Sequence, residues 1–332
     1  MTDRRLNWGI LSTANIGRVA VIPAIQASTN GTVVVVGSRD SATAKTFADK
    51  AGIPEHAGSY QAVLDDPSVE AVYIPLPNSL HREWTIKAAE RGKHVLCEKP
   101  LGLTAAECHD MAAAASANGV ALMEAFMYRF HPRTEAVVRA VREGTIGELR
   151  TIRSAFTFRL TKPNNIRLDR SLGGGALMDV GCYCVNVSRT LAGGEPETVE
   201  ATANVGPTGV DLELAGLLHF PRGVTAMFEC ALTAERQEWY EVAGTEGAIR
   251  VPAAFLPGAA DAVIDRSIGG RPPEAQVVPG ADEYRCMVEH FAESVVEARP
   301  IRYSAAEAAA NMRVIEALYQ SAREGGRQVP LA

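Results

Sequence analysis

His94-Val95-Leu96-Cys97-Glu98-Lys99-Pro100 is a short apolar run that stops abruptly in Glu-Lys-Pro. A run of that length closed by a breaker reads as a parallel-sheet strand buried on both faces. Lys99 then stands at the strand's carboxyl end. In open α/β sheets ligands bind in the crevice outside the carboxyl ends of the strands, so an ammonium there faces a cofactor or a substrate. Pro100 restricts Lys99 to extended backbone and is compatible with a cis bond, which would hold the side chain in one direction. Taken alone, the stretch reads equally as a strand ending in a surface Glu-Lys pair, and exposed pairs contribute little.

Upstream, the spacing predicts a first strand over Leu6 to Leu11, then the turn Ser12-Thr13-Ala14-Asn15-Ile16-Gly17 and an apolar-periodic helix to about Ser28. A dinucleotide fold carries its phosphate turn at this place, usually as Gly-x-Gly-x-x-Gly, where small residues let backbone N–H groups approach the pyrophosphate. The three positions are Ser12, Ala14 and Gly17 here, small enough to keep that approach but less distinctive than three glycines. The second strand, Thr32 to Val36, runs into Gly37-Ser38-Arg39-Asp40. An acid at that distance normally accepts the ribose hydroxyls of NAD. Ser38 and Arg39 come first and suit a 2′-phosphate, so NADP is the expected cofactor, with Asp40 keeping NAD possible.

Strand and helix go on alternating. A helix is predicted over Ala42 to Ala51, and a strand over Val69 to Ile74 runs into Pro75-Leu76-Pro77-Asn78-Ser79-Leu80-His81. Asn78 is placed to cap the helix that follows to about Arg91. Beyond Lys99, Thr104-x-x-Glu107 is a capping box opening an alanine-rich helix that ends near Asn118-Gly119, and Val120 to Ala125 makes another strand. Repeated βα units with a phosphate turn at the start describe a Rossmann domain over residues 1–127.

The chain of 332 residues, 47% apolar, is long for one core, so two domains are expected. With 33 basic and 39 acidic residues the net charge is −6, which gives no pull towards nucleic acid or an anionic membrane. None of the six cysteines forms a Cys-x-x-Cys, so no metal site is expected and free thiols of a reducing cytoplasm are. Met1-Thr2-Asp3-Arg4-Arg5 leads into the first strand with no apolar leader, and a cytoplasmic location is expected.

Pro132 to Glu143 reads as a connecting helix closed by Gly144 and Gly147. From there the texture changes. Thr151 to Leu160 alternates as a half-exposed antiparallel strand does, and strand-like runs follow at Thr198 to Val205, Leu212 to His219, Val224 to Leu232 and Trp239 to Ala243. Phe220-Pro221-Arg222-Gly223 is a hairpin turn. Residues 128–332 are therefore predicted to form an α+β domain with an open, mainly antiparallel sheet for substrate binding and oligomerisation, its last helix returning to the first domain. An uncovered sheet face needs a partner, so a homodimer or homotetramer is expected. Gly173-Gly174-Gly175 precedes a helix from about Ala176 to Leu191, on which Asp179 and Tyr183 are spaced to share a face. Gly181, between them, costs about 1 kcal/mol relative to alanine in a helix interior, which predicts that something packs close against it. Val251 to Asp282 is rich in Pro, Gly and Ala and offers no chemistry. Helices are predicted from Tyr284 to Ala298 and, after Ser304-x-x-Glu307, to about Glu324.

Gly9 to Gly17, Pro77-Asn78-x-x-His81, Gly92-Lys93-His94-Val95-Leu96-Cys97-Glu98-Lys99-Pro100 and Glu124-Ala125-Phe126-Met127-Tyr128-Arg129-Phe130-His131-Pro132 together resemble the Gfo/Idh/MocA oxidoreductases. The resemblance implies that Lys99 lies beside the nicotinamide and the reacting carbon. It also implies cofactor contacts from Ser12, Thr13, Ala14, Asn15 and Ile16, from Ser38 and Arg39, from Leu76, Pro77, Asn78 and His81, and from Glu98 and Arg167. Met127 and Arg129 are implied to face substrate with Lys99, Asp179 and Tyr183. Gly-Gly-Gly-Ala-Leu-Met-Asp-Val-Gly-Cys-Tyr resembles the segment that brings the second catalytic group to the nicotinamide. Many members have histidine at the place of Tyr183, and the tyrosine form is similar to the glucose–fructose oxidoreductases, dimeric dihydrodiol dehydrogenases, some xylose dehydrogenases and sugar 3-ketoreductases of the family.

The expected reaction moves a hydride between NADP(H) and a C–OH or C=O carbon of a sugar-like substrate, with Lys99, Tyr183 and Asp179 catalytic. Tyr183 would carry the proton. A free phenol has a pKa of about 10, and a nearby ammonium favours its ionised form. Two other functions stay open: a hydrolase of the same fold that keeps its NAD bound, and a cofactor-binding regulator, which would be expected to lack Lys99 or Tyr183.

Overall fold

The computed structural model describes residues 4–331, so the expectations at Met1-Thr2-Asp3 lie outside them. The chain divides into two compact units: residues through Met127 with Tyr284–Ala309, and Tyr128–Glu283 with the residues from Ala310 on.

The first unit is built on six parallel strands, β1 (Leu6–Leu11), β2 (Gly31–Gly37), β3 (Glu55–Ala57), β4 (Ala71–Ile74), β5 (His94–Cys97) and β6 (Leu122–Glu124), in the order β3-β2-β1-β4-β5-β6. Its central strands are apolar almost throughout because helices cover both faces. Those helices are α1 (Ile22–Ala27), α2 (Ser41–Ala51), α3 (Tyr60–Asp65), α4 (His81–Glu90) and α5 (Ala105–Ala117). Short polar side chains start three of them, with Asp40, Ser59 and Thr104 accepting the N–H of Thr43, Ala62 and Glu107. Glu107 reaches back to the Leu103 N–H at 2.8 Å, which completes the expected box one residue further out. The helix after β4 departs from expectation. Asn78–Leu80 form a 3-10 turn and α4 begins at His81, so the N-cap position is held by Leu80 rather than Asn78. A Cβ on Gly9 of β1 or Gly37 of β2 would lie 2.5 or 2.7 Å from a methyl of Val63, so both strands yield side-chain space to α3.

The second unit begins with α6 (Pro132–Arg142) and β7 (Leu149–Thr157), followed by a π-helical turn at Leu177–Gly181 that continues into α7 (Cys182–Ala192). Strands β8 (Thr198–Val205), β9 (Asp211–His219), β10 (Thr225–Ala231), β11 (Gln237–Gly244), β12 (Gly247–Pro252), β13 (Ala262–Ile268) and β14 (Glu274–Val278) follow. Helix α8 (Glu283–Val296) belongs, from Tyr284 on, to the first unit, where Phe291 packs against Trp8 of β1 with ring centroids 5.2 Å apart, and α9 (Ala305–Arg323) precedes a short β15 (Val329–Pro330). The nine strands form one sheet in the order β14-β13-β12-β11-β7-β10-β9-β8-β15, antiparallel except where β7 runs parallel to β10. β7 is central, so Ser154, Ala155, Phe156 and Thr157 are all buried, where half exposure was expected. The Pro/Gly/Ala-rich stretch contributes β13 and β14, which the sequence did not announce.

The π-turn and α7 pack on β7, β9 and β10. Along β10, Ala226, Phe228 and Cys230 are buried while Met227 and Glu229 are exposed, so the strand turns one face to the helix and the other outward. The expected squeeze at Gly181 is present: a Cβ there would meet the Cys230 sulfur at 2.7 Å. The hairpin at Phe220–Gly223 is present too, with Arg222 at φ 63°. Among the described residues no helix is long and apolar enough to cross a membrane, and none of the six cysteines is in a disulfide, five of them being buried.

Candidate active site

In the first unit the chain leaves β1 for one side of the sheet and β4 for the other, so the carboxyl ends of these neighbours mark the switch point where α/β folds bind ligands. Ser12 follows β1 at φ 144°, a region that favours glycine, at the position where the dinucleotide pattern places its first glycine. Holding serine there costs about 1–3 kcal/mol. Its hydroxyl accepts the Ala14 N–H at 2.9 Å, which fixes the turn. Thr13, Ala14 and Ile16 are half-buried, and Asn15, exposed, accepts a hydrogen bond from Arg18.

At the end of β2 the three polar residues have separate tasks. Ser38 is buried and pairs its N–H with the Ala57 carbonyl. Asp40 is engaged with its own helix, one carboxylate oxygen accepting the Thr43 N–H at 2.7 Å and the Thr43 hydroxyl at 2.5 Å, and these bonds pull its pKa down. Arg39 is left exposed at the tip; burial raises the Tyr60 pKa and the Arg39 charge opposes that rise, and the Tyr60 ring sits edge-on to Trp84 at 5.1 Å.

The loops after β4 and β5 are tied together from below. His81 is fully buried, with Nε2 2.9 Å from the Leu76 carbonyl and Nδ1 2.9 Å from the Pro100 carbonyl. Burial pushes its pKa down although the carbonyls favour the charged ring, and a neutral ring donates to one of the two. The resemblance gave His81 a place at the cofactor. Both of its ring nitrogens are engaged with backbone carbonyls, which ties the Leu76-Pro77-Asn78 loop to Pro100. Glu98 is held by the buried Tyr73, whose hydroxyl donates to Oε1 at 2.6 Å, and Oε2 faces the Lys99 N–H. Lys99 is half-buried on this frame, while Met127 and Arg129, expected to face substrate, are both buried.

In the second unit, Asn165 caps the short turn Ile166–Leu168 and so presents Arg167, whose Nε donates to Asp179 while its guanidinium lies 5.8 Å from the Phe158 ring centre. The triple glycine wraps this residue. A Cβ on Gly174 would sit 2.4 Å from the Arg167 carbonyl oxygen, and the Gly175 N–H donates to that oxygen at 2.9 Å. Asp179 lies in the π-turn and Tyr183 in α7. The Tyr183 ring is buried among Tyr128, Phe156 and Phe255, with centroids 5.9, 5.4 and 5.3 Å away. Tyr128 is pinned by donating to Asn186 at 2.6 Å.

Sequence reasoning missed three parts of this. It gave Asp179 and Arg167 separate roles, where the structure pairs them. It passed over Tyr73, although a tyrosine in a strand buried on both faces needs a partner for its hydroxyl. It found nothing in the stretch that supplies Phe255.

A model of the oxidoreductase family with an NAD-binding Rossmann fold matches residues 6–126, and a model of the GFO/IDH/MocA C-terminal domain matches residues 134–250. The D-xylose 1-dehydrogenase (NADP(+)) 2 of Haloferax volcanii is 41% identical over 320 residues, which covers 96% of this chain and 98% of that protein. The aldose-aldose oxidoreductase of Caulobacter crescentus, crystallised with glycerol, superposes with a TM-score of 0.91 at 31% identity, covering 99% of this chain and 100% of that one. A 3-ketoreductase from Actinomadura kijaniata in complex with NADP and TDP-benzene gives 0.91 at 30% identity over 96% and 98%.

Proposed function

Because the chain belongs to the GFO/IDH/MocA family of oxidoreductases, we propose that it moves a hydride between NADP(H) and a C–OH or C=O carbon of a sugar or sugar-like substrate. The observation that carries this reading is Lys99 at the carboxyl end of β5 in a sheet of order β3-β2-β1-β4-β5-β6, on a loop braced by His81. The sugar class rests on the relatives, a xylose dehydrogenase, an aldose-aldose oxidoreductase and a ketoreductase.

The residues of the first unit fit a dinucleotide, since a turn of small residues opens the helix after β1 and an exposed guanidinium follows β2. Bound there, the nicotinamide supplies or takes up the hydride. Tyr183 gives a proton from its Oη in reduction and takes it back in oxidation. The Lys99 ammonium stabilises negative charge on the substrate oxygen and favours the phenolate when Tyr183 acts as base. Asp179, held by Arg167, orients the substrate hydroxyl. The first unit serves the cofactor and the second the substrate, and copies associate through the outward face of the nine-stranded sheet, which light scattering checks as a mass above that of the monomer.

Asp40 is occupied by its helix, so the choice between NADP and NAD falls to Arg39. A charge-assisted hydrogen bond contributes about 1.5–3 kcal/mol. Arg39→Ala is therefore expected to lower kcat/KM for NADPH about ten- to a hundredfold, with NADH changed by no more than a few-fold, in initial rates against each cofactor. Equal losses with both would assign Arg39 to general folding instead.

The deciding experiment follows nicotinamide absorbance against a panel of aldoses, ketosugars and dihydrodiols in both directions. Turnover with net cofactor change supports the proposal. Glycoside cleavage with a permanently bound NAD and no net change would replace it with the hydrolase.

A further inference from the structure

The helix that carries Asp179 and Tyr183 starts without a cap of its own. Ala176 occupies its N-cap position and three glycines precede it, so no local side chain can accept the first N–H groups, and Ala176, Leu177 and Met178 are all buried. The acceptor comes from β9. Asp211, its first residue, is 4% exposed. One of its oxygens accepts the Leu177 N–H at 2.7 Å, and the other accepts the Tyr319 hydroxyl of α9 at 2.7 Å. Gly175, at φ 125°, is what lets the backbone come so close, since a Cβ there would lie 2.1 Å from Asp211 Oδ1 and 2.9 Å from the Tyr319 oxygen. A carboxylate at a helix N-terminus also faces the positive end of the helix dipole.

We infer that Asp211, backed by Tyr319, is a positioning residue that fixes the axial placement of the helix bearing Asp179 and Tyr183, and so the place of the catalytic phenol. The inference rests on the reading of Tyr183 as the proton-transferring group. Asp211 grips the helix end two residues before Asp179 and six before Tyr183, and the Cys230 sulfur blocks sideways movement at Gly181. A reacting group displaced by about 1 Å can lose about a hundredfold in rate.

The test compares Asp211→Ala, Asp211→Asn and Tyr319→Phe in the full chain. The Ala variant leaves the N–H groups without an acceptor, whereas the Asn oxygen still accepts from Leu177 and its amide donates to the Tyr319 oxygen. Expected are a kcat about ten- to a hundredfold lower for Ala and within about threefold of wild type for Asn, with KM for NADPH steady in both. Amide hydrogen exchange over residues 177–183 should quicken in Ala and stay at the wild-type rate in Asn. Should Asp211→Ala fail to fold, Tyr319→Phe decides, with a several-fold loss of kcat expected at unchanged KM for NADPH. An Ala variant with wild-type kcat, or an Asn variant as impaired as Ala, overturns the inference and leaves the proposed function standing. A wild-type protein that turns over no substrate of the panel removes both, whatever the exchange rates show.

Discussion

Replacing Lys99 with Met is expected to cut kcat about a hundred- to a thousandfold while fold and dinucleotide affinity persist, the size seen when one preorganised charge stabiliser is removed. Met keeps an unbranched apolar stem in the half-buried space and deletes only the ammonium. The loop it stands on is held by His81 through the Leu76 and Pro100 carbonyls and by Glu98 through Tyr73, and none of these bonds uses the Lys99 amine. The substitution therefore removes the charge while leaving those loop bonds in place, and Tm reports any wider structural cost. The measurements are kcat with a substrate from the panel, NADPH affinity by fluorescence titration, and Tm. A variant that turns over at near wild-type rate would remove Lys99 from the chemistry.

Tyr183→Phe should lose about a hundred- to ten-thousandfold in kcat, the usual contribution of a positioned proton donor. Stability should fall by no more than about 1 kcal/mol, the net contribution of one hydroxyl hydrogen bond. The ring fills a buried cluster with Tyr128, Phe156 and Phe255, and phenylalanine keeps all of that packing. Tyr183→Ala makes the contrast, because emptying an aromatic site in a core costs about 3–5 kcal/mol. The pair separates chemistry from scaffold: one variant inactive and stable, the other inactive and unstable. If Tyr183→Phe stays active, the proton moves through another group.

Those two residues stood out in the sequence, and their local settings partly did. β1 and β8 have the expected bounds, Leu6–Leu11 and Thr198–Val205, because an apolar or alternating run between breakers is a local property of the chain. The tight contact at Gly181 could be read for the same reason: a glycine inside a helix is costly unless space is scarce. Long-range pairing could not. Nothing in the spacing from Asp179 to Arg167 says that the intervening glycines turn one onto the other, and nothing near Ala176 says that its missing cap arrives from Asp211. β14 escaped notice because most of it is exposed, so its residues show no alternation between core and solvent. The π-turn at Leu177–Gly181 has no pattern of its own in the sequence.

The engagement of Asp40 bears on any attempt to redesign the cofactor choice. On the role proposed for Arg39, deleting it is expected to weaken one dinucleotide without recruiting the other, because the carboxylate that could greet the unphosphorylated sugar is already serving the first turn of α2. Turning it outward would strip the helix of an anchor that contributes about 1 kcal/mol. A switch of preference at this position therefore calls for two coordinated changes: a fresh acid at the strand tip and a substitute to hold Thr43.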